Sequence, residues 1–568
     1  MNNENVKTPT IIWQQYTKGI NYLQNKGLID EWEQCENFYE GNHWPQPTKK
    51  TKNLPRPVIN ISAMIADNKK AGILSGNVKM IFRPAEMFGN YYEKAEQGAD
   101  LFTKFAESVS KELKQAELDD CAQNYATQLG MYIYHYYWDV TVTGGMQTPY
   151  VGALRGEVLH PKNVIFANPM ETDVQKQKYI IIASCEPLES VRNLAKKNKI
   201  VGWENITADT EMSESEDMEN AVCTVLTKYS RQNGKVVWEK STKYCYLSKP
   251  MLWQPEKEKV KFEDDEEINE PDSHENYGYL RKQLYPLVVK SHKKRKRCIY
   301  GIGEIKQAIP NNKAVNFNIA MMLLSVQQTA WPKIIQKVNA LANQQITNEP
   351  GEILTDTTKG QNWGAKYMDS PGFNIQALTL TDKLVDLTRA TTGSTEVVTG
   401  EVLGANMAAT AIVALQNQAK KPIEMYQRNF YRAYEEIGKI YEQFFKYYYN
   451  DGRLFSYEDD DQKYVASMVG SEYSDYDYSL SVEVGAGGVY SESLAISLLD
   501  TLKASQDIDT DEYIELYPES IMTFKPKLKR MREKKKEELM QQQLMMQQVL
   551  NQSGINPQIP EQTQNIAL

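Results

Sequence analysis

The residues able to do chemistry in this chain are few, and their spacing limits what they can do. Three glycines, Gly393, Gly400 and Gly404, lie in ATTGSTEVVTGEVLGANMAATAIVAL, Ala390 to Leu415, just ahead of a long helical pattern. Glycine-rich backbone before a helix can cradle phosphate, because the free N–H groups and the dipole of a helix N-terminus attract anions. A nucleotide-binding loop also needs the lysine and hydroxyl of G-x-x-x-x-G-K-[ST], and that pattern does not occur. The five histidines, His43, His135, His160, His274 and His292, make no H-E-x-x-H or other paired spacing, which argues against a zinc hydrolase. G-x-S-x-G is missing as well, and GAGGVY, Gly485 to Tyr490, misplaces its third glycine for a dinucleotide fold. Cys35, Cys121, Cys185, Cys223, Cys245 and Cys298 lie far apart with no C-x-x-C pair, and read as thiols in a reducing compartment.

Charge runs offer two more candidates. FEDDEE, Phe262 to Glu267, has neither histidine partners nor calcium-loop spacing and reads as a solvated loop. SHKKRKRCIYGIGEI, Ser291 to Ile305, is the densest basic run, and Lys293, Lys294, Arg295, Lys296 and Arg297 are candidates for contact with DNA or a partner, or for a solvated turn. These patterns lead us to expect no metal and no cofactor, and they give an enzyme few footholds.

At 568 residues the chain exceeds the size of one core, so two to four domains are expected. Hydrophobic residues make up 41% and charged residues 24%, as in soluble globular proteins, and no apolar run reaches the roughly 18 to 20 residues that span a bilayer. The N-terminus lacks the basic and apolar regions of a secretory signal, so the expected product is cytoplasmic. A net charge of −9 argues against a protein that coats nucleic acid through a basic face, while leaving room for one that touches DNA without holding it.

The elements that must position these residues follow from hydrophobic period. Ile29, Trp32, Cys35 and Tyr39 give one apolar helical face, ended by Gly41, Pro45 and Pro47; Ile61, Met64, Ile65 and Ile73 give another, and a polar helical stretch runs from Tyr91 to Leu129. Residues 130 to 290 turn to β-branched and aromatic runs, with Asn233-Gly234 as a hairpin signal. Helical patterning returns from Tyr300, with Ile305, Ile309, Asn312, Asn316, Ile319 and Leu323 on one stripe and Pro332 after it. Beyond the glycine loop, Met407, Ala411, Ala414, Gln418, Pro422, Tyr426, Phe430, Ile437, Tyr441, Phe445 and Tyr448 hold a stripe along one long helix, which Pro422 should kink. After a strand-like run, YSLSVEVGAGGVY, eight basic and three acidic residues lie between Lys525 and Glu538, and a Gln-rich tail follows.

In this order, EWEQCENFYEGNHW, RPVINISAMIADNKKAGILSGN, HPKNVIFANP, YGIGEIKQAIPNNKAVNFNIAMM, TTGSTEVVTGE and AATAIVALQNQA resemble the portal proteins of tailed bacteriophages over about residues 30 to 450. Each match is a loose pattern; the specificity lies in their order and spacing. The resemblance implies an α+β portal fold with a mixed α/β wing, a two-helix stem, an inserted α/β clip, a long kinked helix and a helical C-terminal crown. Mapped here, it gives an N-terminal region and wing at 1–299, stem helices at 300–329 and 377–391 around a clip at 330–376, and a tunnel loop at 392–405. The long helix is 406–449, the wing return 450–490, the crown 491–540 and a flexible tail 541–568.

The implied function is a homo-oligomeric ring, usually of twelve subunits, through which double-stranded DNA is packaged and ejected. Implied partners are the terminase large subunit, a head–tail adaptor, and the major capsid and scaffolding proteins, with no membrane; the location is the virion after assembly in the bacterial host cytoplasm. A loop facing moving DNA should lack tight phosphate ligands. Gly393, Ser394, Thr395, Thr399, Gly400, Gly404 and Asn406 offer flexibility and weak contacts, and Glu396 and Glu401 repel phosphate. Tyr426, Phe430, Ile437 and Tyr441 are the expected subunit-interface residues, and 35 tyrosines against 14 phenylalanines suit extensive interfaces. The alternatives are a virion enzyme, such as a nuclease using EDDDQ, Glu458 to Gln462, and a non-portal head scaffold or adaptor.

Overall fold

The computed structural model describes residues 9–49, 51–52, 54–85, 92–145, 148–209, 221–232, 234–253, 283–330, 334–336, 365–367, 375–393, 409–459, 462–484, 489–505, 508–517 and 525–552. The chain divides into two compact units, Met1–Arg453 with Met468–Glu483, and Leu454–Ser467 with Val484–Leu568.

The first unit begins with three helices, α1 (Ile11–Asn25), α2 (Leu28–Glu40) and α3 (Ile61–Ile73). Thr10 Oγ1 accepts the Trp13 N–H at 3.2 Å and Asn60 Oδ1 that of Ala63 at 3.0 Å, so each side chain satisfies a donor that its helix leaves open. The buried face of α2 is Leu28, Trp32, Cys35 and Phe38, rotated slightly from the expected stripe. Tyr39 sits off that face because its hydroxyl reaches out to Asp67 Oδ1 at 2.8 Å. Next come β1 (Val78–Pro84), α4 (Tyr92–Glu112) and α5 (Gln115–Leu129). The single helix expected from Tyr91 to Leu129 breaks at Lys114, whose φ is 53°.

The aromatic and β-branched runs form β2 (Met131–Gly144), β3 (Tyr150–Val158), β4 (Val164–Phe166) and β5 (Tyr179–Pro187), then α6 (Leu188–Lys197), β6 (Val222–Gln232), β7 (Lys235–Ser241), β8 (Met251–Leu252) and β9 (Leu287–Ser291). Strands β3, β2 and β9 form one antiparallel sheet with β2 central, and β4 to β8 pair in sequence order as a five-stranded antiparallel meander. Gln232 pairs with Lys235 across a two-residue turn in which Gly234 takes a φ of 83°, as the Asn-Gly signal requires.

A hairpin of β10 (Lys293–Arg295) and β11 (Cys298–Ile302) precedes α7 (Glu304–Ala330). Tyr300, expected to open the helix, is therefore a strand residue. Gly301 and Gly303 explain the change: a Cβ on either would stand 2.0 Å from the Gly130 carbonyl oxygen or 2.2 Å from that of Gln128, so this backbone lies directly against the end of α5. The short strands β12 (Ile334–Gln336) and β13 (Ala365–Tyr367) pair antiparallel, and α8 (Ile375–Thr392) and α9 (Ala409–Tyr448) follow. The helix is continuous through Pro422.

The core of the unit is the C-terminal part of α9. Phe430, Ala433, Tyr434, Ile437, Ile440, Tyr441, Phe444 and Phe445 are buried at three- and four-residue spacing. Phe105 packs edge-on against Phe445 at 4.8 Å, and Tyr136 of β2 against Tyr441 at 5.4 Å.

The remaining elements are β14 (Arg453–Asp459), paired with β15 (Gln462–Met468); β16 (Tyr478–Val484), paired with β1; and α10 (Val489–Ala504), α11 (Thr510–Leu516) and α12 (Lys525–Gln552). The segment 541–568, expected as a flexible tail, is helical as far as Gln552. The Gln, Met and Leu residues of 541–552 are good helix formers with no proline among them, and the last residues, 553–568, lie outside the described ones. Helices and antiparallel strands occur in separate runs, which makes this an α+β chain.

Candidate functional site

Around the foot of α9, elements distant in sequence meet at one carboxylate. Glu304, the first residue of α7, is fully buried and receives Lys69 Nζ of α3 at 2.8 Å, His292 Nε2 at 3.0 Å and Lys293 Nζ at 2.9 Å. The His292 ring stacks on Tyr426 of α9, centroids 4.2 Å apart and planes within 6°. Burial by itself would raise the Glu304 carboxyl, but the His292 hydrogen bond and the Lys69 and Lys293 charges hold it well below the ordinary carboxylate range. Burial lowers His292, against the pull of its bond to Glu304, and keeps the ring neutral. Just beyond, Gln427 Nε2 donates to the Gly72 carbonyl at 2.7 Å and Asn429 Nδ2 to that of Ser291 at 2.9 Å, so α9 is fastened to α3 and to the end of β9.

A second polar joint ties α7 to the N-terminal helices. His43 Nδ1 accepts from Asn312 Nδ2 at 3.1 Å and Asn316 Nδ2 at 2.7 Å, while Nε2 donates to the Phe38 carbonyl at 2.8 Å. The two amide oxygens accept the backbone N–H groups of Ile61 at 3.1 Å and Ile59 at 3.0 Å. These bonds place the asparagines within an otherwise apolar stripe, where Ile61, Ile65, Ala308 and Val315 form a small core with Leu384 and Val385 of α8 against it.

Helices α7 and α8 also expose large apolar side chains. Phe317, Met321, Leu323 and Val326 on α7, and Ile375, Leu378, Leu380 and Leu387 on α8, are large side chains left in solvent. The helices run side by side, with Asn311 Nδ2 donating to Thr388 Oγ1 at 3.0 Å. Exposed apolar residues scattered singly are ordinary, but eight on two packed helices, on more than one side of α7, exceed that scatter.

The expected site residues separate into groups. Gly393 ends α8 with a φ of 72°, and a Cβ built on it would lie 3.9 Å from Pro422 Cβ. Ser394, Thr395, Glu396, Thr399, Gly400, Glu401, Gly404 and Asn406 lie outside the described residues. Tyr426, Phe430, Ile437 and Tyr441 were expected at a subunit interface, but each is buried against its own chain: Tyr426 on His292, Phe430 beside Tyr434, and Ile437 and Tyr441 in the core. A helical stripe records burial and does not say whose surface does the burying.

The basic run also divides. In β10, Lys293 and Arg295 point to one side, Lys293 to Glu304 and Gln307, and Arg295 to Glu31 at 2.7 Å and the Gly301 carbonyl. These two are internal ion-pair partners, so the expected five-residue contact surface reduces to the exposed Lys294, Lys296 and Arg297. Of the proposed acidic site, Asp460 and Asp461 lie outside the described residues, as does Phe262 to Glu267.

Sequence reasoning missed several buried polar sets. His135 Nδ1 meets Glu157 Oε1 at 2.8 Å, directly across the β2–β3 ladder, and its Nε2 meets the Tyr229 hydroxyl at 2.9 Å. Asp119 accepts from Tyr134 at 2.6 Å, Gln115 at 2.9 Å and Tyr434, and burial pushes its carboxyl up. The only sequence signal was the alternation of tyrosines in MYIYHYYW, which places Tyr132, Tyr134 and Tyr136 on one face. All six cysteines are free. Among the described residues no helix is long and apolar enough to cross a membrane, and no three His, Cys, Asp or Glu residues cluster as a metal site. No protein-family model and no curated protein matches the chain.

Proposed function

We propose that the chain is a ring-forming portal subunit of a tailed bacteriophage: the conduit at one capsid vertex through which double-stranded DNA is packaged and ejected. The observation that carries this reading is the succession and surface of α7 to α9. An apolar-faced helix is followed by an insert bearing the β12–β13 pair, then by a second apolar-faced helix beside the first, a connection through 394–408, and a helix of 40 residues. In this reading α7 and α8 are the stem, and their uncovered side chains are the surface that neighbouring subunits occupy. Stem helices apolar beyond one stripe suit burial on more than one side, as in a closed ring where each subunit has two neighbours.

The subunit is then a structural component without catalysis of its own. Terminase docks on it during filling and a head–tail adaptor afterwards, with capsid and scaffolding proteins as the other contacts, at the portal vertex of the virion. Negative-stain imaging and sedimentation of the purified chain test the proposal. Discrete rings with a central hole, about twelve-fold, are the expected result, and monodisperse monomers under all conditions overturn it.

A further inference from the structure

Cations and carboxylates are segregated in this chain. From Gly41 to Ala66 there is no acidic residue, and Lys49, Lys50, Lys52 and Arg56 make the stretch +4. Beyond Glu304, α7 has no acidic residue either and adds Lys306 and Lys313. Together the two stretches carry +6, so the rest of the chain, at a total of −9, carries −15.

The basic segment between α2 and α3 is held in shape by its own hydrogen bonds. Trp44 Nε1 donates to the Pro57 carbonyl at 2.9 Å and closes the base, Arg56 donates to the Pro45 carbonyl at 3.3 Å, and the Thr51 N–H donates to the Thr48 carbonyl at 3.0 Å. Arg56 is therefore part of the frame, while Lys49 and Lys52 stand exposed. The carboxylates that flank the segment are engaged, Glu40 by Asn42 at 3.4 Å and Asp67 by Tyr39 at 2.8 Å. Exposed Val58 and Ile59 lead out of the loop, and the Ile59 N–H reaches Asn316, next to exposed Phe317. Lys313, one turn from Phe317, is exposed over the Phe38 ring, whereas Lys306 is taken by Glu31. Helix α8, beside α7, holds two acidic and two basic residues and adds no net charge.

We infer that this surface, formed by Lys49, Lys52, Val58, Ile59, Lys313 and Phe317, seats an acidic, partly apolar face of a second copy of the chain. The inference rests on the ring reading and extends it: Phe317 belongs to the surface assigned there to a neighbouring subunit, and the cations border it. In a ring each subunit meets its neighbours through two different faces, so a basic patch is not opposed by its own copy and can meet part of the acidic remainder. Apolar side chains among the cations favour a protein face over a phosphate backbone, which offers them no contact. Assembly through such a patch weakens as salt rises, because exposed charges are screened.

The test is sedimentation velocity of the full chain over a range of concentrations at about 0.1 M and about 1 M sodium chloride, where the screening length falls from roughly 10 Å to roughly 3 Å. The concentration at which the wild type assembles should rise several-fold at high salt. In the combined variant Lys49→Gln, Lys52→Gln, Lys313→Gln, assembly at low salt should need about tenfold more protein, as three exposed ion pairs together predict, and should respond little to salt. An unchanged thermal midpoint checks that the subunit fold is intact. A parallel variant, Lys294→Gln, Lys296→Gln, Arg297→Gln, removes the same charge elsewhere and should assemble as the wild type does. The inference is overturned if the patch variant assembles like the wild type, if salt does not weaken wild-type assembly, or if both variants are equally impaired, which would make net charge the cause. A patch variant that assembles normally but no longer retards a short labelled duplex would assign the surface to nucleic acid instead. Monodisperse wild-type monomers at both salt concentrations would overturn the ring reading and this inference together, whereas wild-type rings with an unaffected patch variant overturn the inference alone.

Discussion

Asn316 donates to His43 across 2.7 Å, and with its other amide atom accepts the Ile59 backbone N–H at 3.0 Å. One side chain on α7 thus holds both a ring and a stretch of backbone from the N-terminal region, more than 250 residues earlier in the chain. Asn312 repeats the arrangement with Ile61. Asn316→Leu leaves the part-buried Ile59 N–H without its partner and the His43 ring nitrogen with Asn312 alone, at a cost of about 1 to 3 kcal/mol. The double variant with Asn312→Leu should cost more than the sum of the two singles, because only there does the His43 ring nitrogen lose both donors. Calorimetric midpoints of the three variants measure this, and full additivity would show that the two bonds are independent.

Stability should fall on acidification in two stages. His292 is held neutral by burial, so an unfolded state that takes up the proton is favoured as pH drops below the ordinary histidine value of 6.5. Glu304 is held ionised; its contribution is complete above its ordinary value of 4.5 and is lost as pH falls below that. His292→Gln should remove the first stage and keep the second. Glu304→Gln strands Lys69 and Lys293 in a buried site and should cost about 3 to 5 kcal/mol at neutral pH. Thermal midpoints from about pH 8 down to about pH 2 report both stages, because the Glu304 contribution is lost progressively well below its ordinary value.

Phe430 separates folding from assembly. Because its ring is packed beside Tyr434 inside the chain, Phe430→Ala should cost about 3 to 5 kcal/mol and Phe430→Asp should prevent folding altogether. A folded Phe430→Asp monomer would contradict that placement.

Phe317 and Leu387 should behave in the opposite way. Both are exposed, so Phe317→Ser and Leu387→Ser should change the subunit's thermal stability by less than about 0.5 kcal/mol. Sedimentation should show weakened assembly at unchanged secondary structure. Assembly equal to wild type in the double variant would remove these helices from the interface.

Residues 392–405 are the proposed DNA-facing loop. Thr395→Lys with Thr399→Lys should slow DNA passage at low salt and lose that effect as salt rises, since each lysine adds a phosphate contact in every subunit. Gly404→Pro should restrict the backbone there and at its predecessor, leaving assembly intact and altering packaged DNA length or retention. Packaging rate and DNA length in vitro test both.

Much of the local structure was legible in the residues. The α2 and α3 patterns, the Asn-Gly turn and the run of α7, α8 and α9 follow from period and punctuation, because those signals act within a few residues. What escaped was set by contacts distant in sequence. CIYGI reads as the approach to a helix, and becomes β11 only because Lys293–Arg295 pairs with it and Gly130 lies beneath it. The α9 stripe was recognised as buried, yet its cover comes from α4, β2 and β9 and not from a second subunit. Lys293 and Arg295 looked like their exposed neighbours until Glu304 and Glu31 came within reach. The real apolar surface, on α7 and α8, was hidden because helices covered on one side and helices covered on two differ only by a few residues per turn.

Pro422 divides α9 mechanically. Thirteen residues, roughly 20 Å of helix, precede it, and immediately after it Ile423 meets Gly72 at a spacing that would leave a Cβ there only 3.0 Å away. A proline has no N–H, so at this point the helix has one fewer bond resisting bending. A sideways load that reaches Pro422 therefore meets a weaker point in the helix, with Ile423 as the fulcrum. The resulting torque falls on α3 and β9 through Gln427 and Asn429. Because α3 also carries Lys69, a load arriving at Pro422 is shared with the same charged knot that closes the N-terminus of α7.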